Sequence, residues 1–132
     1  METAPLPSIP YNDVSQRLFV LRGANMAITT DQPFTKIFQG TKWDPQTIVA
    51  NWVSGAFNTA CAGGIYIGAS KSGTVVSPAT QSYAALTGAN TQANCAIQAF
   101  STTFSTTPIL SLTTGNTGAL TCDIFIYGFV LD

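Results

Sequence analysis

Histidine is absent from this chain of 132 residues. Its absence removes the commonest general base, the usual activator of serine and cysteine nucleophiles, and the commonest metal ligand. Internal carboxylates are few: beyond the N-terminal segment they are Asp31, Asp44 and Asp123. Asp31 and Asp44 stand beside or near prolines, in turn sequences where aspartate commonly caps the backbone. We therefore predict that the protein is not an enzyme, with no catalytic residue, no cofactor and no metal site.

Charge is also scarce. Charged residues make up 8% of the chain, against about 25% of an average soluble protein. A nucleic-acid partner is not expected, because that needs a clustered basic face and the five basic residues are scattered along the sequence. Little charge repulsion opposes association. Two interpretations stay open: a surface buried against copies of the chain or a larger assembly, or a neutral surface rich in the 19 Thr and 10 Ser.

Long apolar runs are missing too. None approaches the roughly 20 residues of a membrane-spanning helix, so no membrane partner is expected. The opening METAPLPSIP carries an acidic residue and three prolines, where a secretory signal needs a basic start and an apolar core. The three cysteines are odd in number and lack CxxC spacing. They are predicted to be reduced, buried thiols rather than disulfide partners or zinc ligands.

The N-terminal segment, residues 1–13, is punctuated by three prolines, which disfavour a helix or a central strand. Leu6, Ile9 and Tyr11 lie between and after these prolines. One interpretation is a disordered terminus. The other is an extended arm whose apolar residues dock on a neighbouring subunit or on a larger surface.

Short runs of strand-forming residues, separated by Gly, Pro, Asn and Asp, fill residues 14–132, and no window shows a helical apolar stripe. This pattern predicts a single all-β domain, an antiparallel β-sandwich (jelly-roll-like) of about eight to ten short strands. Residues 17–21 and 25–30 are predicted to be two strands joined by a turn at residues 22–24. Residues 77–94 are predicted to form a long loop. Residues 109–113 and 120–132, joined by TGNTG, are predicted to pair as a hairpin.

The C-terminal strand separates into two faces by alternation. Leu120, Cys122, Ile124 and Ile126 form a natural core face. The other face carries Asp123, Phe125 and Tyr127, followed by Phe129. Outward aromatics often mark an interface, so these four residues are the candidate subunit interface; packing beneath a long loop is the alternative.

Trp43 lies in a predicted Lys-Trp-Asp turn among polar groups. An exposed tryptophan there could stack on a sugar ring. The alternative is a tryptophan that folds back to cap the sandwich.

The ending LTCDIFIYGFVLD resembles the C-terminal end of small virion proteins of tailed bacteriophages. In those proteins a final strand with a hydrophobic-Tyr-Gly motif ends a β-sandwich used as a capsid decoration (cement) protein or fibre head. The matching residues here are Asp123, Ile124, Phe125, Ile126, Tyr127 and Gly128.

This resemblance implies a structural virion protein, assembled in the host cytoplasm and located on the virion. Its expected partners are copies of itself in a homotrimer and the major capsid protein or another virion protein, with no cofactor. The alternative function is a receptor- or glycan-binding fibre tip, with Trp43 and the loop at residues 77–94 as the contact surface.

Overall fold

A computed structural model describes residues 12–56, 61–86, 92–98 and 103–132 of the chain. Within these ranges the chain forms nine strands and no helix. The strands are β1 (Asn12–Asn25), β2 (Gln32–Pro33), β3 (Thr35–Lys36), β4 (Trp43–Gly55), β5 (Ala62–Ile67), β6 (Thr74–Ser77), β7 (Gln92–Cys95), β8 (Ile109–Thr114) and β9 (Leu120–Val130). The predicted all-β class and the predicted number of strands are confirmed.

The strands form two antiparallel sheets. The five-stranded sheet has the order β3-β1-β9-β4-β7, and the four-stranded sheet has the order β2-β8-β5-β6. Pairing is nested: β1 pairs with β9, β2 with β8, β4 with β7 and β5 with β6. The β4–β9 and β5–β8 pairs join these into the two sheets, and β3 adds to the other edge of β1. Apart from β3, early strands therefore pair with late ones, as in one long hairpin wound around a core.

Side chains from both sheets meet in one hydrophobic core. The predicted core face of β9 is confirmed, since its four residues are fully buried: Leu120, Cys122, Ile124 and Ile126. The opposite sheet contributes Ile65 and Leu110, also at 0% exposure. Two sheets that bury their facing side chains in one cluster make this domain a β-sandwich.

The predicted hairpin between β8 and β9 is wrong. The two strands are consecutive in the chain but belong to different sheets, so their link crosses the end of the sandwich. The loop is held there by buried Asn116, whose Nδ2 donates hydrogen bonds to Ala56 O at 2.9 Å and Gly118 O at 2.7 Å. Its backbone N–H also bonds Met26 O at 2.7 Å. These bonds to distant segments fix a crossing that a Gly/Asn-rich loop alone does not reveal.

The predicted turn at residues 22–24 is also wrong. β1 is one long strand, and its pairing with β9 resumes at Ala24 after Leu21. The two residues between form a bulge in which Gly23 adopts φ +63°, a conformation that glycine tolerates. β1 ends at Asn25, so the strand predicted at residues 25–30 is not formed.

The start of the domain lies earlier than predicted. Asn12 already pairs with Val130, so the last two residues of the predicted arm belong to β1. Leu6, Ile9 and Tyr11 lie outside the described residues. The predicted loop at residues 77–94 contains an isolated bridge between Ser82 and Ala62, and its last residues belong to β7.

Replacing Asn116 with alanine should destabilise the fold, because Ala56 O and Gly118 O lose the donor that the buried Asn116 side chain supplies. We expect a loss of about 1–3 kcal/mol in the free energy of unfolding, measured by urea denaturation followed by tryptophan fluorescence. The matched control is Asn94→Ala on exposed β7, expected to change stability by less than about 0.5 kcal/mol. Equal effects of the two variants would contradict this role for the loop.

Candidate functional site

The outer face of the five-stranded sheet carries most of the residues that the sequence pattern marked as an interface. Asp123, Phe125 and Tyr127 alternate along β9 and point away from the core, with neighbours on both sides. Tyr127 pairs with Arg17 and Thr47, Phe125 with Val20 and Val49, and Asp123 with Asn51. We call these eight residues, together with Arg22, the outer face. Phe129 follows on β9 and is half-buried opposite Asp44.

A bulge in β1 places two arginines on this face. Arg17 and Arg22 are five residues apart, so regular alternation would point them to opposite faces. Between Arg17 and Phe19 the register with β9 shifts, and Leu18 and Phe19 are both buried in the core. Leu18 is thus an extra residue in β1, and it reverses the alternation of side chains that follows. Val20 and Arg22 therefore share the face of Arg17.

The two guanidinium groups lie over the same aromatic ring. The Cζ atom of Arg17 is 4.5 Å from the centroid of Phe125, and that of Arg22 is 5.5 Å from it. Arg17 also lies 5.7 Å from the ring centroid of Tyr127 and donates to its hydroxyl at 3.4 Å. With both arginines over its ring, Phe125 is only 7% exposed. Among the described residues it is the arginines, rather than a loop, that cover the Phe125 ring.

Asp123 anchors one end of the outer face. Its Oδ1 accepts a hydrogen bond from Gly23 N at 2.7 Å, and its Oδ2 lies 3.3 Å from Arg22 Nη1. The side chain of Arg22 is 65% exposed and that of Asp123 is 23% exposed. An ion pair this exposed contributes little to stability, so its main effect is to orient Arg22.

Sequence reasoning missed both arginines. In the sequence they are two of five scattered basic residues, and a five-residue spacing on a strand does not indicate a shared face. The available signal was Leu18-Phe19, two adjacent bulky apolar residues within an otherwise alternating strand. Such a pair is consistent with a bulge that turns both side chains inward.

Trp43 is not a sugar-stacking residue in this structure. It lies at the start of β4 with 1% exposure, and its ring packs 4.7 Å from Phe19 and 5.1 Å from Phe104, centroid to centroid. Its backbone exchanges hydrogen bonds with Phe104. The expectation of an exposed turn was wrong because pairing with Val130, Phe129 and Gly128 of β9 extends the strand through the Trp-Asp-Pro sequence. The alternative, a tryptophan folded into the sandwich, is the observed arrangement.

A second polar cluster ties loops to β8 of the four-stranded sheet. Asp31 Oδ1 accepts hydrogen bonds from Ser70 Oγ at 2.5 Å and Ser111 Oγ at 2.8 Å. Lys71 Nζ donates to Ser111 Oγ at 2.7 Å and to Thr29 O at 2.6 Å. These hydroxyl bonds, assisted by Lys71, hold the pKa of Asp31 below its ordinary value.

The serine–lysine pair in this cluster is not arranged for nucleophilic catalysis. Ser111 lies on β8 at 0% exposure, so a substrate cannot reach its hydroxyl. Lys71 is exposed and donates hydrogen bonds to Thr29 O and Ser111 Oγ. The arrangement instead fastens the loops around Asp31 and Ser70 to β8.

This cluster should make the free energy of unfolding depend on pH. Because the folded-state pKa of Asp31 is lowered, its stabilisation is complete above the ordinary carboxyl pKa and is lost as pH falls through the folded value. We expect Asp31→Asn to destabilise the protein most at neutral pH, with the difference from the unmodified chain shrinking below about pH 4. Urea denaturation at several pH values measures this.

Ser70→Ala provides the companion variant. It removes the Ser70 hydrogen bond, which is the main cause of the lowered pKa of Asp31, and leaves the carboxyl group in place. It should show a smaller loss with the same pH trend. A difference for Asp31→Asn that does not change with pH would show that the carboxylate is not held in its ionised form.

The three cysteines are free and buried, as predicted. Tyr83 is buried in the same core, and its backbone N–H donates to Cys61 O at 2.9 Å. Burial raises the pKa of Cys61 to about 11 and that of Cys95 to about 12, and it also raises the pKa of Cys122. Thiols held protonated in this way are poor nucleophiles.

We therefore expect the thiols of the native protein to resist an aromatic disulfide reagent at pH 8. In urea all three cysteines should react with it. The measurement is the released chromophore with and without denaturant. Rapid reaction of one thiol in the native state would place that cysteine outside the packed core.

Comparison with known proteins gives no relative: no protein-family model, no curated protein and no solved structure matches this chain. Among the described residues there is no group of three or more potential metal-ligating acidic, cysteine or histidine side chains, and no pocket. The same part of the chain contains no apolar helix of membrane-spanning length.

Proposed function

We propose that this protein is a structural component of a virus particle, a decoration-type protein that forms homotrimers and attaches to the capsid surface. The observation that carries the proposal is the order of its strands. With β3 set aside, the sheets have the orders β1-β9-β4-β7 and β2-β8-β5-β6. This nesting of first strands with last is what a jelly roll requires, and jelly rolls are common in viral capsid and lectin domains.

The chemistry of the surface adds independent support, which the proposal needs because a fold by itself does not define a function. Only 8% of residues are charged, so little repulsion opposes close association. The outer face combines partly exposed Tyr127 with two arginines, and tyrosine and arginine are enriched where proteins meet. This face is therefore the proposed contact surface with other virion proteins.

The N-terminal segment completes the proposal. Leu6, Ile9 and Tyr11 are proposed to anchor the protein on the capsid, with the arm now ending before Asn12. Ordering such a segment costs about 1–2 kcal/mol per residue of backbone entropy. One arm would bind weakly, and three arms on one trimer would bind more strongly through multivalency.

The alternative of a receptor- or glycan-binding fibre tip has lost one of its two named contacts, because Trp43 is buried at 1% exposure. No described aromatic side chain is fully exposed in its place: Phe125 is covered by arginines, and Trp52, Tyr127 and Phe129 are half-buried. We therefore propose the structural function alone.

The oligomeric state tests the proposal directly. Light scattering of the purified protein should give three times the chain mass of 13.9 kDa, unchanged on dilution and at high salt, because a chain with 8% charged residues has few ion pairs for salt to screen. A chain that stays monomeric at every concentration would remove the main support for an assembly role.

A further inference from the structure

We propose that Arg17 and Arg22 form a binding site for carboxylate groups, and that the outer face receives an acidic segment of a different protein. This inference rests on the proposed function, because it names the chemistry of the partner to which the protein attaches. It also assigns separate surfaces to the two kinds of contact: the outer face binds the other protein, and contacts between copies lie elsewhere.

The arginines retain most of their hydrogen-bonding capacity. A guanidinium group has five N–H donors. Among the described residues Arg17 donates to the Tyr127 hydroxyl at 3.4 Å, and Arg22 donates to Asp123 at 3.3 Å. Both bonds are long, and both arginines are exposed. Each therefore presents donors in the planar fork that matches a carboxylate.

The ring beneath them prepares the site for binding. Phe125 is nearly buried between Val20 and Val49, so it is a fixed platform. Stacking on one ring holds both guanidinium groups near the same point and reduces the entropy that binding would otherwise cost. It also keeps two like charges close together, a repulsion that a bound anion relieves.

Charge complementarity identifies the partner as acidic. The outer face has two arginines against one carboxylate, Asp123, in a chain of net charge −1. Arg17 has no carboxylate partner among the described side chains, where the ion pair present joins Arg22 to Asp123. The face is therefore locally positive and would attract a negative segment.

The described side chains of a second copy are a poor source of such carboxylates. Asp31 already accepts bonds from two serines, and Asp132 accepts bonds from Thr41 N and Lys42 N. Asp44 is engaged as well, and Asp123 belongs to the face itself. The described carboxylates are thus in use, which favours a different protein.

A nucleic acid is equally unsuited. Binding a phosphate backbone needs a clustered run of cations, whereas this face offers two arginines, enough for one or two carboxylates. The flanking Val20 and Val49 are half-buried apolar side chains, which suit contact with a peptide.

The test uses the full-length protein and a glutamate-rich peptide as the probe. NMR titration follows the Nε–Hε signals of the arginines, and calorimetry gives the affinity. Arg17→Gln and Arg22→Gln should each weaken binding about tenfold. Lys42→Gln, which removes the same charge off this face, should change affinity by less than about twofold. Raising the salt concentration should weaken binding to the unmodified chain.

Several outcomes overturn the inference. One is the absence of saturable peptide binding at low salt; another is equal weakening by Lys42→Gln, which would indicate non-specific attraction. Binding of single-stranded DNA in preference to the peptide would assign the face to another partner. Mass by light scattering separates this inference from the proposed function: the arginine variants should keep the mass of the unmodified protein. A fall in their mass would make the face a contact between copies.

Discussion

The pairing of β9 on both of its edges is the constraint on which the rest of the structure depends. This strand lies between β1 and β4, the two other long strands of the five-stranded sheet. Its inner side chains, such as Ile124, are fully buried in the core that both sheets share. Because side chains alternate, a slip of one residue would turn the core set outward and the outer set inward. The register of β9 therefore decides both the core and the outer face.

The features predictable from sequence are those that short-range alternation controls. The inner face of β9 from Leu120 to Ile126, the all-β class and the buried thiols could all be predicted, since each depends on local composition and a period of two. The wrong predictions concern which strand pairs with which. The β8–β9 link looked like a hairpin, yet its path depends on bonds from Asn116 to Met26 and Ala56, which are distant in the chain. Local patterns carry no information about such contacts.

The same limit explains why the outer face could be predicted only in half. Its β9 side, with Phe125 and Tyr127, follows from alternation. Its β1 side depends on the bulge at Leu18 and Phe19, which moves Arg22 to the face of Arg17. A bulge also occurs where Gly23 takes its positive φ, in a segment whose residues look like a turn. In both places the pairing with β9 continues past the irregularity, and this continuity is a property of the folded sheet.

A charge-poor surface gives each remaining charge more weight. Within the described residues four of the five cations lie near a carboxylate: Arg22 pairs with Asp123, Lys71 is near Asp31, and Lys36 and Lys42 are near Asp132. Arg17 is the exception, because its described partners are the Phe125 ring and Tyr127. With few other charges to screen or compete with it, this one arginine makes the outer face locally positive. The scarcity of charge that first suggested assembly thus also concentrates recognition at one place on the sheet, where a partner's carboxylate would complete the pattern that the other cations already show.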